Sequence, residues 1–223
     1  MTENPPKKEL IQAKRTDFQW PRRLFHFGCG AVVVLLYKNL FTHSQAVYLL
    51  GFIACIVYIF EQIRVNYPEL ASKFNIYSKY LLRAEEQLKE SAQVPYLMAI
   101  LLTLISFPKP VAITAILTLA LADPLSAIVG IKFGKTKIVP HKSVEGSLAF
   151  WLATFLSVYI GFGFILDQGH GRWAIIGLGF AVSTMASAFE MLPIKIDDNL
   201  TIPLFTAIIT WTWALIIGLP TNL

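Results

Sequence analysis

Asp123 closes an apolar run, and the loop after it is basic and carries glycine. Ala122 to Ser147 reads ADPLSAIVGIKFGKTKIVPHKSVEGS, with Gly130, Gly134 and Gly146 among Lys132, Lys135, Lys137 and Lys142. An acid, a basic loop and a helix start are the parts of a site for phosphate and a divalent cation. Mg²⁺ takes one or two carboxylates and completes its shell with substrate phosphates. Lysines and the free N–H groups of a helix start hold phosphate oxygens. Ser143 reads as a helix cap, with Glu145 and Gly146 in the first turn and Gly146 open to close approach of a phosphate. Gly130 and Gly134 permit backbone that other residues do not reach. An ionisable residue at membrane depth is a functional candidate by default, and this singles out Asp123. The plainer reading is a solvated positive loop before a capped helix, and composition alone does not separate the two. Neither GxxxxGK[ST] nor GxGxxG occurs, so this is no known nucleotide loop of those types.

Arg22, Arg23 and His26 form a second group. Spacings of three and four put His26 beside both arginines on one helix face. Two guanidiniums and an imidazole suit a phosphate; the plainer reading is a basic membrane anchor. Glu190 lies in the last turn of another apolar run, followed by Asp197, Asp198 and Asn199. The loop residues read as caps, whereas an acid in an apolar helix is harder to explain that way. The candidate metal ligands are therefore Asp123, Glu145 and Glu190. The candidate catalytic residues are Asp123, Lys142, Arg22, Arg23 and His26. Gly130, Gly134, Lys135, Lys142, Ser143, Glu145 and Gly146 are the candidates for holding nucleotide phosphates. Glu61, Arg64, Arg83 and Glu86 read as interfacial ion pairs.

These residues sit in a chain of 223 residues, 55% hydrophobic and 15% charged. Soluble domains carry about 25% charged residues, so the expectation is an all-α integral membrane protein. The apolar runs near 22–40, 45–62, 94–107, 111–130, 146–166, 173–192 and 201–219 predict a polytopic bundle of about seven transmembrane helices. Residues 1–21 form a basic cytoplasmic tail, and 22–223 a single transmembrane domain. The first run reads as an uncleaved span. Val111 to Ala122 is too short to cross, so its helix should continue through Asp123 and Pro124 towards Gly130. The segment 61–93 carries apolar residues at helical spacing between charges, the pattern of an amphipathic helix lying in the interface. Cys29 and Cys55 fall within apolar runs and read as packing thiols.

Sixteen of the nineteen Lys and Arg fall in the tail, at the very start of the first run (Arg22, Arg23) and in the segments after the second, fourth and sixth runs. By the positive-inside rule that side is cytoplasmic, so the N-terminus and the site face the cytoplasm and the C-terminus lies outside. The net charge of +5 belongs to that face. It favours anionic lipid headgroups or nucleotide phosphates; no nucleic-acid partner is expected.

Taken together, RRLFHFGCG at 22–30, ADPLSAIVGIKFGK at 122–135 and KSVEGSLAF at 142–150 resemble the CTP-dependent membrane lipid kinases. That family includes dolichol kinase, phytol kinase and CTP-dependent diacylglycerol kinase. EMLPIKIDDNLTIPL at 190–204 is similar to the phytol-kinase-like bacterial branch. The resemblance implies transfer of the γ-phosphoryl group of CTP to a lipid alcohol with Mg²⁺, in a bacterial inner membrane. It carries family roles onto Arg22, Arg23, Asp123, Gly130, Lys142, Ser143, Glu145 and Gly146. Ala122 departs from the family's usual Gly, and Pro140-His141 stands where a Gly is common; neither removes a charged group. Phytol, a polyprenol such as dolichol, and diacylglycerol stay open as acceptors, as does the general base among Asp123, His26 and Glu190. Oligomeric state is left open. Two other readings stand beside this one: a phosphatidate cytidylyltransferase forming a CDP-lipid, and an ion-coupled transporter using buried Asp123 and Glu190.

Overall fold

The computed structural model describes residues 20–67, 69, 91–139, 142–163, 171–193 and 196–221. The tail up to residue 19 and residues 70–90 of the amphipathic segment lie outside these, as do Pro140 and His141. The described residues form seven helices. These are α1 (Trp20–Asn39), α2 (His43–Asn66), α3 (Gln93–Ser106), α4 (Lys109–Lys132), α5 (Val144–Phe162), α6 (Arg172–Glu190) and α7 (Asp198–Ile217). Between α4 and α5, β1 (Lys137–Val139) pairs antiparallel with β2 (Lys142–Ser143), so the loop expected there is a small irregular hairpin.

Five helices, α2 and α4 to α7, are long and apolar enough to cross a membrane. Of the about seven spans expected, five qualify by length and composition, and α1 and α3 fall short for physical reasons. α3 has 14 residues, a length of about 21 Å against a hydrocarbon core of about 30 Å. α1 has the length but carries Arg22, Arg23 and Lys38. Apolar side chains cover the outer surface: Leu35, Phe52, Ile59, Leu152, Phe180 and Ile216 are all more than half exposed. So much exposed apolar surface matches lipid as the surrounding solvent.

The centre of the bundle is α4. Its Val111, Ala115 and Ala122 join a core with Phe150 and Phe162 of α5, Leu178 and Val182 of α6 and Ala207 of α7. Its Ala112, Ile113 and Ile116 join a second core with Tyr37 of α1, Leu50 of α2 and Ile100 and Leu104 of α3. The helix runs through Asp123 and Pro124 as its length required, but not as a uniform α-helix. Thr118–Ala122 is a π-helical turn between α-helical Lys109–Leu117 and Asp123–Lys132. Proline lacks an N–H and its ring collides with the carbonyl four residues back. The wider turn just before Pro124 relieves that collision, and it delivers Asp123 at the point where the helix narrows again. Such π turns occur frequently at functional sites.

α1 crosses α4 at this turn. A Cβ on Gly30 would overlap Ala120 Cβ and lie 2.8 Å from the Tyr96 hydroxyl, so only glycine allows the approach. Gly30→Ala is expected to cost about 1–3 kcal/mol through overpacking, read as a lowered melting temperature in detergent. Adding Ala120→Gly should recover part of the loss, and a neutral Gly30→Ala would contradict the close crossing.

Candidate functional site

The polar groups gather where the starts of α1, α3, α5 and α7 meet the ends of α2, α4 and α6. Arg23, in the first turn of α1, donates from Nη1 to the Pro124 carbonyl at 3.2 Å. Asp123 and Arg23 are half-buried and within electrostatic reach of each other. The missing N–H at Pro124 is a defect of the α4 ladder; Arg23 caps a carbonyl next to it. Ser126, buried, donates to the Asp123 carbonyl at 3.0 Å. His26 is buried, its ring 4.5 Å from that of Tyr96, whose hydroxyl donates to the His26 carbonyl at 2.6 Å. The imidazole thus packs on α3. Arg22 is half-buried on the same turn as Arg23.

The hairpin and the start of α5 form a second group. Ser143 caps α5, its Oγ accepting the Gly146 N–H at 3.2 Å. The Val144 N–H donates to the Thr136 carbonyl at 3.0 Å. The Glu145 carboxylate accepts the Thr136 N–H at 3.2 and 3.4 Å. An acid at a helix start is favoured by the dipole, and here it also ties the base of the hairpin, at the entry to β1, to α5. The glycines serve close packing. A Cβ on Gly146 would lie 2.8 Å from the Ser126 carbonyl and 3.3 Å from Gly130 Cα. A Cβ on Gly134 would overlap the Gly130 carbonyl. On the side where a Cβ would project, Gly146 packs on α4, because the two helices meet there. Lys135 is exposed on the hairpin.

Lys142 forms the third group. Its ammonium lies 2.7 Å from Glu190 Oε1 and 3.9 Å from Asp198 Oδ2, and it also donates to the Glu190 carbonyl. Glu190 Oε2 is buried without a hydrogen-bond partner among the described residues. Asp197 caps α7 by accepting the Asn199 N–H at 2.8 Å.

Among the described residues, no three His, Cys, Asp or Glu side chains come together in an arrangement that holds a metal ion. Asp123, Glu145 and Glu190 thus do not form one ligand set; they belong to three different contact groups. Mg²⁺ needs only one or two carboxylates when phosphates supply the rest. Glu190, with an unpaired oxygen, and half-buried Asp123 fit that requirement. Glu145 fits it less well, because backbone N–H groups already occupy its oxygens.

The residues that sequence reasoning undervalued are Glu61 and Arg64. They form a buried two-point pair, Nε to Oε2 at 2.9 Å and Nη2 to Oε1 at 2.7 Å. Glu61 Oε1 also accepts the Ser91 N–H at 2.5 Å, tying the end of α2 to the entry of α3. Asn199 Nδ2 reaches the next carbonyl, Ala92, at 3.5 Å. The spacing of three was visible, but not that the pair is buried. Breaking a buried pair leaves one charge uncompensated. Glu61→Leu should therefore destabilise by about 3–5 kcal/mol, and Glu61→Leu/Arg64→Leu by less, compared by thermal unfolding. A double variant worse than the single would overturn this.

A lipid-facing helical bundle with its ionisable groups collected at one end defines an integral membrane helical protein. The comparisons with known proteins specify it further. The chain is 22% identical over 212 residues to CTP-dependent diacylglycerol kinase 1 of Saccharomyces cerevisiae, covering 86% of this chain and 72% of that one. It is 30% identical over 193 residues to the uncharacterized protein RP860 of Rickettsia prowazekii, covering 84% and 91%. It is 30% identical over 217 residues to probable phytol kinase 3, chloroplastic, of Glycine max, covering 91% of this chain and 65% of that one. No protein-family model matches the chain, and no solved structure matches it significantly. The chain belongs to the CTP-dependent lipid-kinase family.

Proposed function

We propose that the protein is a kinase that transfers the γ-phosphoryl group of CTP to the hydroxyl of a membrane lipid alcohol. Phytol, a polyprenol and diacylglycerol are the acceptor classes. The observation that carries this reading is that Arg23 binds the Pro124 carbonyl at the π turn, within electrostatic reach of half-buried Asp123, in a chain of the lipid-kinase family.

In the transfer, the lipid oxygen attacks the γ-phosphorus. The bond from phosphorus to the β–γ bridging oxygen breaks, CDP leaves, and the hydroxyl proton passes to a base. Such transfers depend mainly on positioning and charge neutralisation. Arg22 and Arg23 neutralise charge on the transferring group, since guanidinium matches phosphate geometry. Lys142 holds the β and γ oxygens after leaving its carboxylate partner. Asp123 and the free oxygen of Glu190 would hold Mg²⁺, which when bound neutralises the triphosphate. Asp123, His26 and Glu190 are the candidate bases; His26 first has to move off Tyr96.

The same reading puts α1 and α3 in the membrane as well, seven crossings in all, with the site in the cytoplasm of a bacterial cell. The charge bias across the chain supports it. A reporter enzyme that works only outside the cytoplasm is expected to be active when fused after Leu223 and inactive after Thr136. The reverse pattern would refute the orientation.

The activity is tested with purified protein in lipid, Mg²⁺, CTP labelled at the γ position and a panel of lipid alcohols. Label in one lipid establishes the kinase and names its acceptor. Absence of γ label in every lipid, with ATP tried beside CTP, refutes it. Transfer of α label to phosphatidate would mark a cytidylyltransferase instead.

A further inference from the structure

Lys142 and Glu190 have each other as partners, and the pair is lopsided. One carboxylate oxygen, Oε1, lies 2.7 Å from the ammonium. The other, Oε2, is buried and meets no hydrogen-bond donor among the described residues. The Glu190 side chain is only 9% exposed, so water compensates little of that charge. The ammonium has a further acceptor in the Glu190 carbonyl, with the Asp198 carboxylate 3.9 Å away. Lys142 is therefore surrounded by protein acceptors while no phosphate is bound. Glu190, by contrast, has coordinating capacity left over.

We infer that Lys142 is a resident counter-ion in the Glu190 carboxylate, exchanged for a divalent cation when a nucleoside triphosphate binds. This rests on the reading of the site as a nucleotide-phosphate site. The triphosphate draws the ammonium away, and Glu190, with Asp198 beside it, takes the divalent cation that accompanies the triphosphate. The reason is electrostatic. An ammonium at contact distance repels a second cation approaching the same partly desolvated carboxylate, and the repulsion is weakly screened there. A triphosphate removes the repulsion by giving the ammonium another partner. Cation binding at Glu190 is thereby coupled to the nucleotide, and each strengthens the other by the same factor. A lysine stem reaches across without backbone movement, since its four carbons rotate freely. The hairpin strand that carries Lys142 is fixed by Ser143 and Glu145, so only the side chain needs to move.

The probe is Mn²⁺, followed by its electron paramagnetic resonance signal in the full chain in detergent, without nucleotide. Lys142→Met is expected to raise Mn²⁺ affinity about tenfold or more over the parent chain, because the competing charge is gone. Lys142→Arg keeps the charge and should show no gain, which separates charge from local loosening. Lys142→Met/Glu190→Gln should lose the gain. In the parent chain, CTP should raise Mn²⁺ affinity beyond what free CTP binds. No gain in Lys142→Met, or a gain that survives Glu190→Gln, overturns the exchange. Elution volume and thermal unfolding report whether each variant folds; if Lys142→Met does not, Lys142→Gln replaces it. The Mn²⁺ readout needs no turnover. A chain that shows the gain but transfers no phosphoryl group would refute the kinase and leave the exchange standing. A chain that transfers but shows no gain would do the opposite.

Discussion

Asp123→Asn is expected to lower γ-phosphoryl transfer by about 10²- to 10³-fold, the usual effect of removing one preorganised charge-stabilising group. The amide keeps the size and shape of the side chain but not its charge. Two bonds beside it do not depend on that charge: Arg23 donates to the Pro124 carbonyl, and Ser126 to the Asp123 carbonyl, both backbone groups. Elution volume and thermal unfolding report whether the variant folds. The loss should fall on kcat, because a group that acts mainly on developing charge moves kcat and kcat/KM together. Normal turnover by a folded Asp123→Asn would remove Asp123 from the metal site and from the chemistry.

The second large effect belongs to Lys142→Ala. Here activity and stability are both expected to fall, and the two losses can be separated. Removing the ammonium leaves Glu190 buried with neither oxygen compensated. Uncompensated buried charge is destabilising, though Lys142 is 22% exposed and solvent tempers the effect. Lys142→Ala/Glu190→Gln removes the stranded charge and should regain most of the melting temperature. It should not regain turnover, which is expected about 10²-fold or more below the parent chain. If the double variant recovered turnover as well, Lys142 would be a structural partner of Glu190 and nothing more.

Much of the chain was legible before any coordinates. The apolar runs marked the helices to within a few residues, because hydrophobic length is a local property that a bilayer reads directly. The need for length also carried the fourth helix through Pro124. Ser143 before Val-Glu-Gly read as a cap, and it is one. Asp197, one of the loop residues read as caps, caps α7.

Other features were decided by tertiary structure. Pro124 announced a disturbance, but whether the helix would kink, break or widen depended on what packed around it. α1 at Gly30 and α5 on the other side hold the widened turn in place. The close packing of Gly146 on Ser126 was not legible in the central loop, because it depends on how the two helices meet. Nor was the bond from the Thr136 N–H to Glu145, which needs the chain to return across the helix start. Glu61 and Arg64 read as members of interfacial ion pairs; that they pair with each other and are covered by the entry of α3 was not legible. Lys142 and Glu190 are separated by two helices in sequence and joined by 2.7 Å in space. Residue type and spacing determine what a group is able to do. Partnership between distant charges depends on how helices cross, and crossing is set by side-chain fit over the whole bundle, which no single stretch of sequence contains.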